Sequence, residues 1–253
     1  MHLRYILIII SFFFSFAIKA NELETHPIFA GGYQEAVFSV SDIEAQVKFY
    51  TEVAGWEILS EGNVSQRIIE AYSLPKNTIA KEVVMGNSGT KRGFIRLIEF
   101  VDVDQVQIRS SAQSWDTGGI FDVNFRVLSM QEKFKEMQEY DWQSASDPVE
   151  FSFGPFVVKE WLPRGPDGIV FAMIERVQPP LEGWPHLREM SRLFNATQVV
   201  ADIKEAKDFY IDKLGFKIYL EHKGASIKEG PNVLGLPHNL TTKIDREVYI
   251  LHP

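Results

Sequence analysis

In the stretch FDVNFRV (121–127), Asp122, Asn124 and Arg126 alternate with Phe121, Val123, Phe125 and Val127. On a strand this alternation puts an acid, an amide and a guanidinium on one face and the apolar side chains on the other. EAVFSV (35–40) has a similar pattern. Glu35, Val37 and Ser39 share one face; Ala36, Phe38 and Val40 share the other. A carboxylate in such a place can carry a proton, and an arginine can bind a carboxylate or polarise an oxygen. Other chemistries find no support. The chain has no cysteine, which excludes disulfides, thiolate metal sites and cysteine nucleophiles. There is no Gly-x-Gly-x-x-Gly, phosphate loop or Gly-x-Ser-x-Gly elbow. His26 lies in the N-terminal tail, His186 in GWPHLREM, and His222 and His238 in loop-like stretches. All four read as surface residues, and Trp115, Trp161 and Trp184 as packing residues.

The elements that must position these groups recur. SDIEAQVKFYTEVAGWEI (41–58) returns as ADIKEAKDFYIDKLGFKI (201–218), and AYSLPKN (71–77) as VLGLPHN (233–239). Such repeats mark repeated structural units. In the first, strand 35–40 leads to a helix capped by Ser41 or Asp42, with Ile43, Val47, Tyr50 and Val53 at helical spacing and Gly55 as its stop. Strands at WEILSE, KEVVMG and FIRLIEF follow, with SLPKN as a turn or short helix and NSGTKRG joining the last two strands. The middle of the chain repeats this order: FDVNFRV, a helix headed by Ser129, strands near PVEFSFG and VVKEWLP, the tight turn PRGPDG, and IVFAMIERV. The third copy starts near Phe194, with Asp202 as helix cap, and reaches REVYILHP. A counterpart of FIRLIEF is expected beyond Pro253. A real end there would leave an open unit that a partner chain, as in a homodimer, can complete.

The chain has 253 residues, 45% of them hydrophobic, and a net charge of −8. That charge disfavours a nucleic-acid backbone or an anionic membrane as partner. MHLRYILIIISFFFSFAIKA reads as a signal peptide, residues 1–20, with cleavage after Ala17 or Ala20; an uncleaved anchor is the alternative. A periplasmic or secreted protein, free of the membrane after signal removal, is expected.

The strand–VSDIEAQVKFYTEVAGW–strand pattern, its repeat, and PRGPDGIVFAMIE together resemble the vicinal oxygen chelate superfamily of glyoxalases, extradiol dioxygenases and bleomycin-resistance proteins. The resemblance covers roughly residues 33–253. It implies an α+β fold of βαβββ modules whose mixed sheets curl into cups, with helices outside. It divides the chain into the signal peptide (1–20), a first domain (30–177, modules 30–100 and 119–177), a linker (178–192) and the start of a second domain (193–253). It also implies a small-molecule ligand in the cup, with Glu35, Asp122, Asn124 and Arg126 pointing inward. Metal-using members carry ligands on the first and last strands of paired modules. Those positions hold Glu35, Arg96, Asp122 and Ala172 here, and Asn195 in the third module. With no histidine among them and a permanent cation at Arg96, a divalent metal is disfavoured in the first cup, although the cofactor stays open. Arg96 is expected to neutralise Glu35 and Asp122, while Glu99 and Glu175 face away. Three readings follow: a catalyst using Glu35, Arg96 and Asp122; a non-catalytic binding module; or a metal-dependent lyase or dioxygenase with its site in the second, incomplete cup.

Overall fold

The structure, a computed structural model, describes residues 33–109 and 113–253. The expected signal peptide and His26 lie outside the described residues. The first unit runs β1 (Glu35–Ser39), α1 (Ile43–Glu52), β2 (Glu57–Asn63), α2 (Gln66–Ala71), β3 (Ile79–Gly86) and β4 (Phe94–Val101). The second runs β5 (Asp122–Val127), α3 (Met130–Gln138), β6 (Val149–Phe153), β7 (Phe156–Trp161) and β8 (Phe171–Gln178). Their strand orders match: β1-β4-β3-β2 and β5-β8-β7-β6. First and last strands are parallel, and the remaining pairs are antiparallel. The fold is therefore α+β with repeated βαβββ units. SLPKN (73–77) is a turn, one of the two forms expected, and the helix α2 lies just before it. That helix brings Ile69 onto Ala80 and Ile98, on the same face of β4 as Arg96.

Both long helices start from the same device. Asp42 and Ser129 accept hydrogen bonds from Ala45 N (2.9 Å) and Glu132 N (3.3 Å). A carboxylate from the last strand then takes the first helical N–H: Glu99 from Ile43 (2.8 Å) and Glu175 from Met130 (2.7 Å). Glu99 and Glu175 thus face the helices, as expected, and satisfy amides that a helix start leaves without partners.

The two units share one core. Ile95 and Leu97 of the first sheet join Val123, Phe125, Phe171 and Met173 of the second. Phe49 stacks on Trp142 at 4.8 Å, and Trp56 meets Phe125 edge-on at 5.6 Å. Lys133, 4% exposed, reaches from α3 to the Val53 carbonyl beyond α1 (2.8 Å) and pairs with Glu136 and Glu189. The expected linker 178–192 is woven into this core at its C-terminal end, where Met190 and Ser191 are buried. The Met190 carbonyl accepts from Asn87 Nδ2 (2.8 Å) and Trp56 Nε1 (3.4 Å), and Ser191 Oγ from Arg126 N (2.9 Å). Gly93, at φ 74°, lies so close to the chain at Leu193 that a Cβ would stand 2.2 Å from that residue's carbonyl oxygen.

The third unit contributes β9 (Asn195–Thr197), α4 (Ile203–Lys207, continued by a π turn to Lys213), β10 (Lys217–Gly224) and β11 (Arg246–His252). Asp202 caps α4 through Lys204 N and Glu205 N, as expected. β10 and β11 form their own hairpin, whereas β9 joins the second unit's sheet beside β5. No helix among the described residues is long and apolar enough to cross a membrane.

Candidate functional site

Strand pairing divides the expected site in two. β1 is an edge strand, while β5 pairs with β9 through Asp122↔Thr197 and Asn124↔Asn195. The first and second units therefore meet through their cores, and the concave face carrying Asp122 is completed by the third unit. Asp122 does not join Glu35 and Arg96. This corrects the shared cup and the neutralisation of Asp122 by Arg96. Each β1-like strand offers the same edge, and the aromatic core between the first two units turns those edges apart.

On the first face Arg96 is paired with two carboxylates. Its Nε and Nη2 donate to the two oxygens of Glu35 (3.0 and 3.2 Å), and Nη1 donates to Glu82 (2.8 Å). Both carboxylates hold the guanidinium charged, with the Glu35 hydrogen bond as the largest influence. Glu82 supplies the charge expected of Asp122. Three of the five Arg96 N–H donors are thus taken by carboxylates, and its charge is matched by the two acids. Arg96→Met is expected to cost about 1–2 kcal/mol, between the values of exposed and buried pairs. Urea unfolding measures this, and ligand binding on the other face should not change.

The second face carries Asp122, Asn124, Arg126 and Ala172 together with Glu160, Arg176 and Asn195. Glu160, Ile174 and Arg126 form one row across β7, β8 and β5; Ala172, Asn124 and Asn195 form the next. Asp122 is 4% exposed and accepts from Asn124 Nδ2 at 2.8 Å. Burial raises its carboxyl to about 6, against the lowering effects of hydrogen bonds from Thr197 and Asn124 and the charge of Arg109. Glu160 is half-buried. Burial and then the Asp122 charge push it to about 8, with Arg126 pulling the other way. Burial and the nearby Arg176 bring Arg126 down to about 10. Arg126 lies over the Phe194 ring (4.7 Å) and Arg176 over Phe156 (3.9 Å). The Nε atoms of both arginines and Oδ1 of Asn195 are buried without a hydrogen-bond partner in the protein.

No family model matches the sequence, and no curated protein does either. Solved structures do. Glyoxalase I from Zea mays is 18% identical, with 75% of this chain and 57% of that chain covered at a TM-score of 0.52. A Bacillus subtilis protein described as a dioxygenase is 14% identical, with 74% and 56% covered at 0.50. The chain has the vicinal oxygen chelate fold. It spans just over half the length of those two proteins.

The residues at the positions expected to hold ligands fit a metal ion poorly. Ala172 offers no donor atom, Asn195 a weak one, and Arg96 a cation in place of a ligand. Among the described residues no three His, Asp, Glu or Cys side chains are grouped so as to hold a metal ion. Glu160 and Arg176 were missed in the sequence although their signal was there. Glu160 alternates with Trp161 and Lys159 in VVKEW, and Arg176 follows Ala172 and Ile174 at a spacing of two.

Proposed function

We propose that this is an exported protein of the glyoxalase and dioxygenase type that binds a small molecule bearing a carboxylate or carbonyl oxygen in the β5–β9 cup and moves a proton on it without a metal. Export rests on the signal-like residues 1–20. One observation carries the site: two arginine Nε donors and an amide oxygen are buried without partners beside two carboxyls of raised pKa. Buried polar groups are ordinarily paired, so this set fits a ligand that pairs them. Arg126 and Arg176 receive its oxygen. Near pH 7 Asp122 is mostly ionised and serves as base, while Glu160 is mostly protonated and serves as acid. Two carboxyls whose surroundings separate their pKa values make an acid–base pair.

Thermal unfolding against small carboxylates, aldehydes and ketones tests this. At least one compound should raise Tm, by about 2.7 kcal/mol of stability at a hundredfold excess over Kd, and Arg126→Gln should abolish the shift. Stabilisers that act equally on Arg126→Gln overturn the site. Stoichiometric iron, manganese or zinc in the purified protein, lost in Asp122→Asn, overturns the metal-free chemistry.

A further inference from the structure

β10 is irregular at one residue. Lys217 and Ile218 pair with His252 and Leu251, but Leu220 pairs with Ile250, so Tyr219 is extra against β11. β2 has the same bulge: Ile58 pairs with Met85 and Ser60 with Val84, which leaves Leu59 extra. Both bulges fall just after the repeated stretches that end at Ile58 and Ile218. The bulge therefore belongs to the repeated unit, and only its occupant differs: an apolar side chain in the first unit, a phenol in the third.

A bulge bends its strand and re-aims the extra side chain. Beyond it Leu220, His222 and Gly224 are half-buried, whereas Glu221 and Lys223 are exposed. Strict alternation would put Tyr219 with Glu221 and Lys223, turned to solvent. The inner face of β10 lies on the β6–β7 turn of the second unit. The His222 ring is 6.4 Å from that of Phe153, and a Cβ on Gly154 would stand 3.1 Å from Leu220 Cδ1. Phe153 pairs with Phe156, whose ring carries the Arg176 guanidinium at 3.9 Å. Tyr219 is close enough to both Arg126 and Arg176 to act on each guanidinium electrostatically. Its ring meets His252 edge-on at 6.2 Å, and it is 59% exposed. Nearness to both arginines together with that exposure places Tyr219 at the rim of the cup.

We propose, resting on the β5–β9 cup as the binding site, that Tyr219 contacts the ligand and donates its hydroxyl to a carboxylate held by Arg126 and Arg176. Two permanent cations and a phenolic donor around one group match a carboxylate better than a neutral carbonyl. The Arg176 charge also works against that of Arg126, and an anion between them relieves the repulsion. The third unit then supplies a binding group as well as the strand β9.

Calorimetric titration of the full chain with butanoate, benzoate and the two corresponding amides tests this. Saturable binding of at least one acid, tighter than its amide, is expected. Tyr219→Phe keeps the ring against His252 and removes only the hydroxyl. It should weaken the acid about tenfold or more, as loss of a hydrogen bond to a charged group does, and leave the unliganded Tm unchanged. Acid binding lost in Arg126→Gln but equal in Tyr219→Phe and the natural protein overturns the role of Tyr219 alone. An amide bound as tightly as its acid overturns the carboxylate. Acid binding that survives Arg126→Gln, or no saturable binding of either acid, overturns the cup and this proposal with it.

Discussion

Glu160→Gln is expected to make the protein more stable in alkali and less active. The folded-state pKa of Glu160, about 8, lies above its ordinary 4.5. The folded form therefore holds a proton that the unfolded form has released. Stability contributed by that proton is complete below about pH 4.5 and is lost as pH rises through 8. Above that, the native protein carries a half-buried carboxylate that Gln lacks. With a discount for the partly wet side chain, the variant should exceed the natural protein by roughly 2–3 kcal/mol at pH 9, and by under about 1 kcal/mol at pH 5. Urea unfolding at the two pH values measures the difference. Turnover of any substrate found for the cup should fall by about 10²–10⁴, the usual contribution of a general acid. Binding should survive, because Arg126 and Arg176 are untouched. A variant that gains no stability in alkali would show that the carboxyl is solvated, and the acid role of Glu160 would go with it. Stability gained by removing a charged site group is the common trade against function.

Much of the architecture was legible because each unit repeats its signals. Asp42, Ser129 and Asp202 head helices in all three copies, and alternation in 35–39 and 122–127 separated core from concave face. Helix α2 was less legible. QRIIEA is short, and only Ile69 is fully buried, so six residues give little periodicity to read. The pairing of units was not legible at all. β1 and β5 carry the same kind of edge, and nothing local to either says which strand will lie beside it. The choice is made by side chains far apart in sequence: Trp56 against Phe125, Phe49 on Trp142, and the Met190 carbonyl between Asn87 and Trp56. These contacts bring the first two units together through their cores and leave Asp122 to the third. The site followed the pairing. Glu35 and Arg96 became an ion pair with Glu82, and the proposed site is the set around Asp122, Glu160 and Arg126.

Phe171→Ala should unfold both of the first two units together. Phe171 is fully buried at the meeting point of the two sheets. Its ring stacks on Trp142 at 4.2 Å and meets Phe125 edge-on at 4.7 Å, both from the second unit; Tyr50 and Phe49 of α1 lie at 6.1 and 6.3 Å. Truncation to Ala removes the buried ring and leaves a cavity between rigid aromatics that cannot collapse into it. The expected cost is about 3–5 kcal/mol, a large part of the 5–15 kcal/mol typical of a domain. Phe171→Leu, which keeps most of the volume, should cost less than about 1.5 kcal/mol. Trp56 reports on the first unit and Trp142 on the second, so fluorescence of single-tryptophan variants follows each separately. Coincident transitions that shift together in Phe171→Ala are expected. A first unit that keeps its own midpoint while the second loses stability would mean that the shared aromatic core does not couple them. Phe171 also adjoins Ala172, on the concave face of the same strand, so the cavity should loosen the second row of the proposed site. Phe171→Ala should therefore weaken ligand binding under conditions where the variant is still folded, whereas Arg96→Met, at the far face, should not.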